Sequence, residues 1–219
     1  MDILIVAATE IEIKPILCYL EKRNFILNNH MFRIITGGIG CLATSYALLK
    51  EIYTQKPDLI IQPGIGGTFN NPYSPGEVVA ISSEILADLG AAENGGFMDI
   101  FDLGLMEENA YPFHLKALEN PYVATLNHIS IPVAAGITVN EISTGRNRIE
   151  LLEKKYKPQT ESMEGAALHY IGIQEKIPFI QIRGLSNFIG ERDKSKWVLN
   201  EAIDNLNEVL IRYVNSIPS

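Results

Sequence analysis

Cysteine is scarce in this 219-residue chain, with Cys18 and Cys41 the only two. Two thiols make no disulfide framework at this length and point to a reduced, cytoplasmic setting. Basic residues are also in deficit. Eighteen Lys and Arg face 26 Asp and Glu, a formal charge of −8, which excludes the broad basic face that nucleic-acid backbones require. Long apolar runs are missing. The opening MDILIVAATEIEIK and the later IPFIQI fall well short of a membrane span of about 20 residues. The opening also lacks the basic head of a secretion signal, so it is expected to be a first strand. His30, His114, His128 and His169 are scattered, with no HExxH pairing, and no metal site is expected. No GxSxG elbow, Walker A loop or reactive Cys motif occurs.

What is present fits one α/β domain over residues 1–219. The 47% apolar content suits a globular chain. Short apolar runs alternate with amphipathic stretches, as in a sheet covered by helices. Strands are expected at Ile3–Ala8, Phe32–Thr36, within Pro57–Gln62, and at Gly76–Ser82, Ile131–Thr138 and Pro178–Gly184. Helices are expected over residues 10–23, Leu42–Tyr53, Arg146–Tyr156, Met163–Glu175 and Lys196–Val214. The glycine runs 37–40 and 64–67 read as turns, and residues 86–112 as a lid or substrate loop.

Three clusters carry chemistry. Glu10 and Glu12 follow the first strand, at the sheet edge where open α/β folds bind ligands. They are either first-turn acids favourable to a helix dipole or a pair in which one carboxylate is a general base. Glu164, in Ser162-Met163-Glu164-Gly165, is either a helix cap or an acceptor for two ribose hydroxyls. Ser186 and Asn187 follow the strand PFIQI and converge on the same edge, beside Arg183, Glu191, Arg192 and Asp193. A fourth motif, Gly38-Ile39-Gly40-Cys41-Leu42-Ala43 with Asp58 beyond it, outlines a dinucleotide fingerprint. A tight turn explains it equally, and Asp58 stands at the wrong end of its strand.

Together ILIVAATEIE, GGIG, QPGIGG, GEVVAIS, ESMEGAA and IRGLSN resemble the nucleoside phosphorylase and nucleosidase superfamily over nearly the whole chain. The resemblance implies a three-layer α/β/α sandwich with a central mixed, partly barrel-like sheet. Within that superfamily DLGAAENGGFMDIFDLGL, TVNEISTG and SNFIGERDKSKW are most similar to the futalosine hydrolases of menaquinone synthesis. At matched positions it implies that Glu12 activates water, that Met163 and Glu164 contact the ribose, that Ser186 and Asn187 meet the purine, and that the Gly66 backbone lies near the ligand. It implies no cofactor, a purine nucleoside substrate and a homo-oligomer. Asn replaces the Asp of adenine-specific relatives, and its amide has both a donor and an acceptor for hypoxanthine. Arg192 is the expected partner of the substrate's carboxylate, or else an ion-pair partner of Glu191 or Asp193. The rival activities are a methylthioadenosine/S-adenosylhomocysteine nucleosidase and a phosphorylase using Arg33 or Arg183 to hold phosphate. The non-catalytic rival is a nucleoside- or dinucleotide-binding module.

Overall fold

The computed structural model describes residues 1–69, 72–93 and 95–218. In chain order its elements are β1 (Asp2–Ala7), α1 (Glu10–Glu21), β2 (Ile26–Leu27), β3 (His30–Thr36), α2 (Cys41–Thr54), β4 (Leu59–Thr68), β5 (Val78–Leu86), β6 (Gly90–Glu93) and β7 (Gly96–Asp99). Then come β8 (Leu118–Glu119), α3 (Val123–Leu126), β9 (Val133–Thr138), α4 (Arg146–Tyr156), β10 (Thr160–Ser162), α5 (Gly165–Glu175), β11 (Phe179–Phe188) and α6 (Leu199–Ser216).

β1 is apolar from Ile3 to Ala7 because both of its faces are covered. Ile3, Ile5 and Ala7 pack with Ile13, Ile16 and Leu20 of α1 and with Leu206, Leu210 and Val214 of α6. Leu4 and Val6 face the other way, onto Leu48 and Ile52 of α2 and Leu168 and Ile171 of α5. Successive strand side chains point to opposite faces, so one strand seeds two cores and the molecule has three layers. Each such Leu or Ile contributes roughly 1.5–3 kcal/mol on burial.

The strand order is β10-β9-β5-β11-β4-β1-β3-β2, with β8 beside β5. β10 also pairs with β4. That second pairing closes β4, β11, β5, β9 and β10 into a barrel at one end of an otherwise open sheet. Among the described residues five pairings in this sheet are parallel, and β5–β11, β4–β10, β2–β3 and β5–β8 are antiparallel. The sheet is therefore mixed and partly barrel-like, as the resemblance implied.

β4 and β11 outrun the apolar stretches that announce them. They pair in parallel from Phe179–Ile60 to Phe188–Thr68, with one register shift between Leu185 and Asn187. Gly64-Ile65-Gly66-Gly67 is strand, not turn, because β11 and β10 pair with it, and at Gly64 and Gly67 glycine is required because side chains lie where Cβ atoms would stand. An ideal Cβ would come 2.0 Å from Arg183 Nη1 at Gly64 and 2.2 Å from Ile189 Cδ1 at Gly67. Ser186 and Asn187 likewise lie within β11, not in a loop after it. The expected helix start at Met163 is corrected too. Thr160–Ser162 pairs with β9 and β4 as a barrel strand, and the helix opens at Gly165.

Residues 86–112 contain the β6–β7 hairpin and irregular turns tied to the protein's flank. Lys155 of α4 pairs with Asp99 (3.1 Å) and Asp102, and Lys116 pairs with the same two acids. No helix among the described residues is long and apolar enough to cross a membrane.

Candidate active site

The C-terminal ends of β1, β4 and β11 open into a cavity of about 340 Å³, completed by β10 and the start of α5. Glu12, Gly66, Met163, Glu164, Ser186 and Asn187 all line it. Glu10 does not, and it is exposed. Apolar walls from Ile39, Ile65, Ile142, Ile189 and Trp197 surround these polar groups, the usual make-up of a small-molecule site. None of the described residues of the stretch 86–112 is in the wall, so the lid expected there does not line this cavity.

Glu12 is the third residue of α1 and is buried. Thr9 N–H (2.8 Å) and Thr9 Oγ1 (2.9 Å) donate to its Oε2, and Ile65 N–H donates to Oε1 at 3.0 Å. The same carboxylate therefore secures the helix start and lines the cavity. The first two bonds secure the entry to α1, and the third fixes the carboxylate against β4. A carboxylate has about four acceptor sites, so one remains on Oε1, next to Arg183. The two groups share the space above Gly64, whose absent Cβ would be 3.3 Å from Glu12 Oε1.

Glu164 occupies the residue before α5 but makes no side-chain capping bond. Its carboxylate turns into the cavity, where Gly40 N–H donates to Oε1 at 3.1 Å and Arg183 Nη2 lies 3.6 Å from Oε2. The glycine turn thus has a defined task. Gly40 has φ of +88°, a left-handed conformation that glycine accepts at no steric cost, and its amide meets a carboxylate. Asp58 accepts a bond from Asp2 N–H at 2.7 Å and is not in the cavity wall, which removes the dinucleotide reading's acidic partner.

Ser186 Oγ lies 2.8 Å from Asn187 Oδ1 and 3.1 Å from Gly66 O. Asn187 Nδ2 donates to Phe188 O at 2.9 Å. One N–H and one lone pair of the amide stay unused, a donor and an acceptor side by side. Arg192 is outside the wall. Its guanidinium carbon lies 6.0 Å from the ring centroid of Trp197, which does line the cavity. Arg192 has no ion pair among the described residues; Glu191 pairs instead with Lys196 at 2.8 Å.

Two groups stand in places that the sequence did not suggest, Arg183, considered there only for phosphate, and Glu84. Arg183 is fully buried, donates to Gln62 Oε1 at 3.1 Å and leaves Nε without a partner. A buried lone cation costs several kcal/mol, and Glu164 beside it offsets that. Its signal was an arginine inside the apolar run PFIQIRG. Arg33, the other arginine considered for phosphate, pairs with Asp2 and Glu51, and none of the three lines the cavity. Glu84 is buried behind the cavity. Gln181 Nε2 and Thr138 Oγ1 each donate to it at 2.8 Å, and Ala166 N–H donates to the same Thr138 oxygen. Burial pushes its carboxyl up to about 7, although both hydrogen bonds pull the other way. This chain of bonds pins the first turn of α5, and with it Glu164.

Elsewhere burial pushes the Cys41 thiol up to about 12 and the His169 imidazole down to about 4. Both are therefore neutral core groups.

The chain matches the Phosphorylase superfamily over residues 2–215. It is 27% identical over 182 residues to a futalosine hydrolase of Thermus thermophilus, covering 83% of this chain and 80% of that one. It is also 27% identical over 155 residues to a futalosine hydrolase of Streptomyces coelicolor, covering 70% of this chain and 63% of that relative's length. Among solved structures, the S-adenosylhomocysteine nucleosidase of Streptococcus pyogenes in complex with 5-methylthiotubericidin superposes with a TM-score of 0.78 at 18% identity, covering 100% and 98% of the two chains. A glycine-rich β4 packed against a buried arginine, a closed barrel edge and a sequence match from residue 2 to 215 all concern the same fold, and the chain belongs to the phosphorylase superfamily.

Proposed function

We propose that this protein is an N-glycosyl hydrolase that cleaves futalosine to hypoxanthine and dehypoxanthine futalosine. The observation that carries this reading is the meeting of Glu12, Glu164 and Asn187 in one cavity whose wall, among the described residues, holds no Lys or Arg; the buried Arg183 is already beside Glu164. A phosphate dianion entering there would face two carboxylates, whereas a water would meet an acceptor on Glu12. The names of the two curated relatives agree with a hydrolytic reaction on futalosine.

In the proposed reaction the C1′–N9 bond stretches first and the ribose becomes oxocarbenium-like. Glu164 accepts the ribose hydroxyls and lies near the developing positive charge. Water attacks C1′, its oxygen forming the new bond while Glu12 takes the proton. N7 takes a proton from solvent water as the bond stretches, the electron pair of the broken bond goes to N9, neutral hypoxanthine leaves, and the proton held by Glu12 returns to solvent. Asn187 donates to O6 and turns its oxygen to N7–H, with Ser186 orienting the amide. A carboxylate at residue 187 would repel O6, so asparagine selects a 6-oxopurine over adenine. Arg192, free of a carboxylate partner, is assigned the carboxylate of the substrate's tail.

Chromatography of the freed base from a nucleoside panel, run with and without phosphate, tests the reaction class. Hypoxanthine release at the same rate in both buffers is expected. A strict requirement for phosphate, with ribose 1-phosphate as product, would reverse the assignment.

A further inference from the structure

Asn207 of α6 is only 2% exposed, at the seam where Ile13 and Ile16 of α1 pack with Leu206 and Leu210 of α6. A primary amide buried among apolar groups is costly unless its hydrogen bonds are met. Asn207 Nδ2 donates to Glu12 O and to Ile203 O, both at 2.8 Å, and Oδ1 accepts from Ile16 N–H at 3.1 Å. The amide stands in one orientation alone, since its flip would set N–H against N–H and oxygen against two carbonyls.

The bond to Ile203 O stays within α6. The other two cross to α1 and take a particular pair. In an α-helix the N–H of residue i bonds the carbonyl of residue i−4, so Ile16 N–H and Glu12 O are each other's regular partners. Asn207 serves both, as a side chain inserted into the helical ladder. The sequence explains why the ladder needs it there. Pro15 lies inside α1. It has no N–H for Ile11 O, and its ring crowds that carbonyl. The turn that carries Glu12 thus lacks a bond of its own at the start of the helix. The Glu12 carboxylate is held by Thr9 and Ile65 N–H on the cavity side, and its backbone is held by Asn207 on the other. Ile203 and Leu199, one and two turns before Asn207 on α6, line the same cavity. One amide therefore sets the helix of Glu12 in register with the α6 wall.

We propose that Asn207 is a positioning residue for Glu12, replacing the hold that Pro15 removes from the first turns of α1 and so fixing where the general base stands. This rests on Glu12 being the base, as in the preceding subsection. The rate is sensitive to such placement, because a shift of about 1 Å in a reacting group costs on the order of 100-fold.

Asn207→Ser and Asn207→Leu, each with and without Pro15→Ala, test the proposal on futalosine. Serine keeps a hydroxyl for Ile203 O on its own helix and is too short to bridge to α1. Leucine nearly keeps the shape of the amide and has no polar atom. Each variant is expected to lower kcat about 20-fold or more with KM within about threefold of wild type, because the ribose and purine contacts are untouched. Pro15→Ala, which returns an N–H to Ile11 O, is expected to recover kcat about fivefold in Asn207→Ser and to change wild type by under twofold, the coupling of two residues that act on one turn. Hydrogen exchange at the Ile16 amide is expected to quicken about tenfold in Asn207→Ser and to slow again with Pro15→Ala. An unchanged kcat in both Asn207 variants would overturn the proposal. So would the same Pro15→Ala factor with and without Asn207, which would reduce the amide to a link between two helices. A wild-type enzyme that releases no base from futalosine would instead overturn the hydrolase reading beneath it.

Discussion

Glu12 and Glu164 both stand where helix-start acids belong, which is why their position in the chain could not separate structure from chemistry. Their partners place both carboxylates at the cavity: Ile65 N–H for Glu12, and Gly40 N–H and Arg183 for Glu164. Glu84 offers a test of the supporting network. Its carboxyl titrates near 4.5 when free and is raised to about 7 in the fold, by burial. Between those values the folded chain keeps a proton that the unfolded chain has released. Its contribution to stability is therefore complete below about 4.5 and is lost as pH rises through about 7. At 1.36 kcal/mol per unit the loss is of order 3 kcal/mol. Denaturant unfolding of wild type and Glu84→Gln from pH 5 to 8 should show the variant gaining on wild type by about 2–3 kcal/mol. A constant difference across that range would contradict the burial of this carboxyl. Arg192→Ala should raise KM for futalosine about tenfold or more, in line with the 1.5–3 kcal/mol of a charged hydrogen bond, and leave inosine unchanged. An equal effect on both substrates removes Arg192 from the tail.

Whole elements were legible where apolar periodicity met no competing pairing. β1, β9, α2 and α4 lie where alternation and helical spacing place them. The misread boundaries at β4, β10 and β11 share one cause, the closure of the barrel. Closure gives backbone partners to Gly64–Thr68 and Thr160–Ser162, and no local pattern encodes a partner from 90 residues away. The same closure hid the burial of Arg183, which depends on Gly64 of the neighbouring strand. Gly64→Ala would place a Cβ 2.0 Å from Arg183 Nη1 and 3.3 Å from Glu12 Oε1. Backbone and guanidinium must then shift, at about 1–3 kcal/mol of stability, and kcat should fall at least 100-fold. Gly145→Ala is the control, since no atom lies within 4 Å of its Cβ position and its φ is −85°. Thermal unfolding and kcat should leave it near wild type, and matching losses in the two variants would refute the role given to Gly64.

At the scale of the molecule, three layers bury one face of each helix, but α2 keeps an apolar stripe in solvent. Leu42, Tyr46 and Tyr53 are 87%, 71% and 75% exposed. Ile39, just before the helix, is exposed and lines the cavity mouth. Ile39 makes the stripe continuous with the site, as the homo-oligomer implied by the resemblance would require. Light scattering behind gel filtration should give a dimer mass for wild type and a monomer for Leu42→Glu with Tyr46→Glu. A wild-type monomer at micromolar concentration would contradict the homo-oligomer.

The proposed function depends on Asn187 as the group that reads the base, with Glu12 and Glu164 around water instead of phosphate. One measurement addresses this directly: the ratio of kcat/KM for futalosine to that for methylthioadenosine, taken in phosphate-free buffer. The account predicts a ratio above about 100, the discrimination that an unpaired buried polar group commonly enforces. A ratio below one, or no turnover of either nucleoside until phosphate is added, would contradict it.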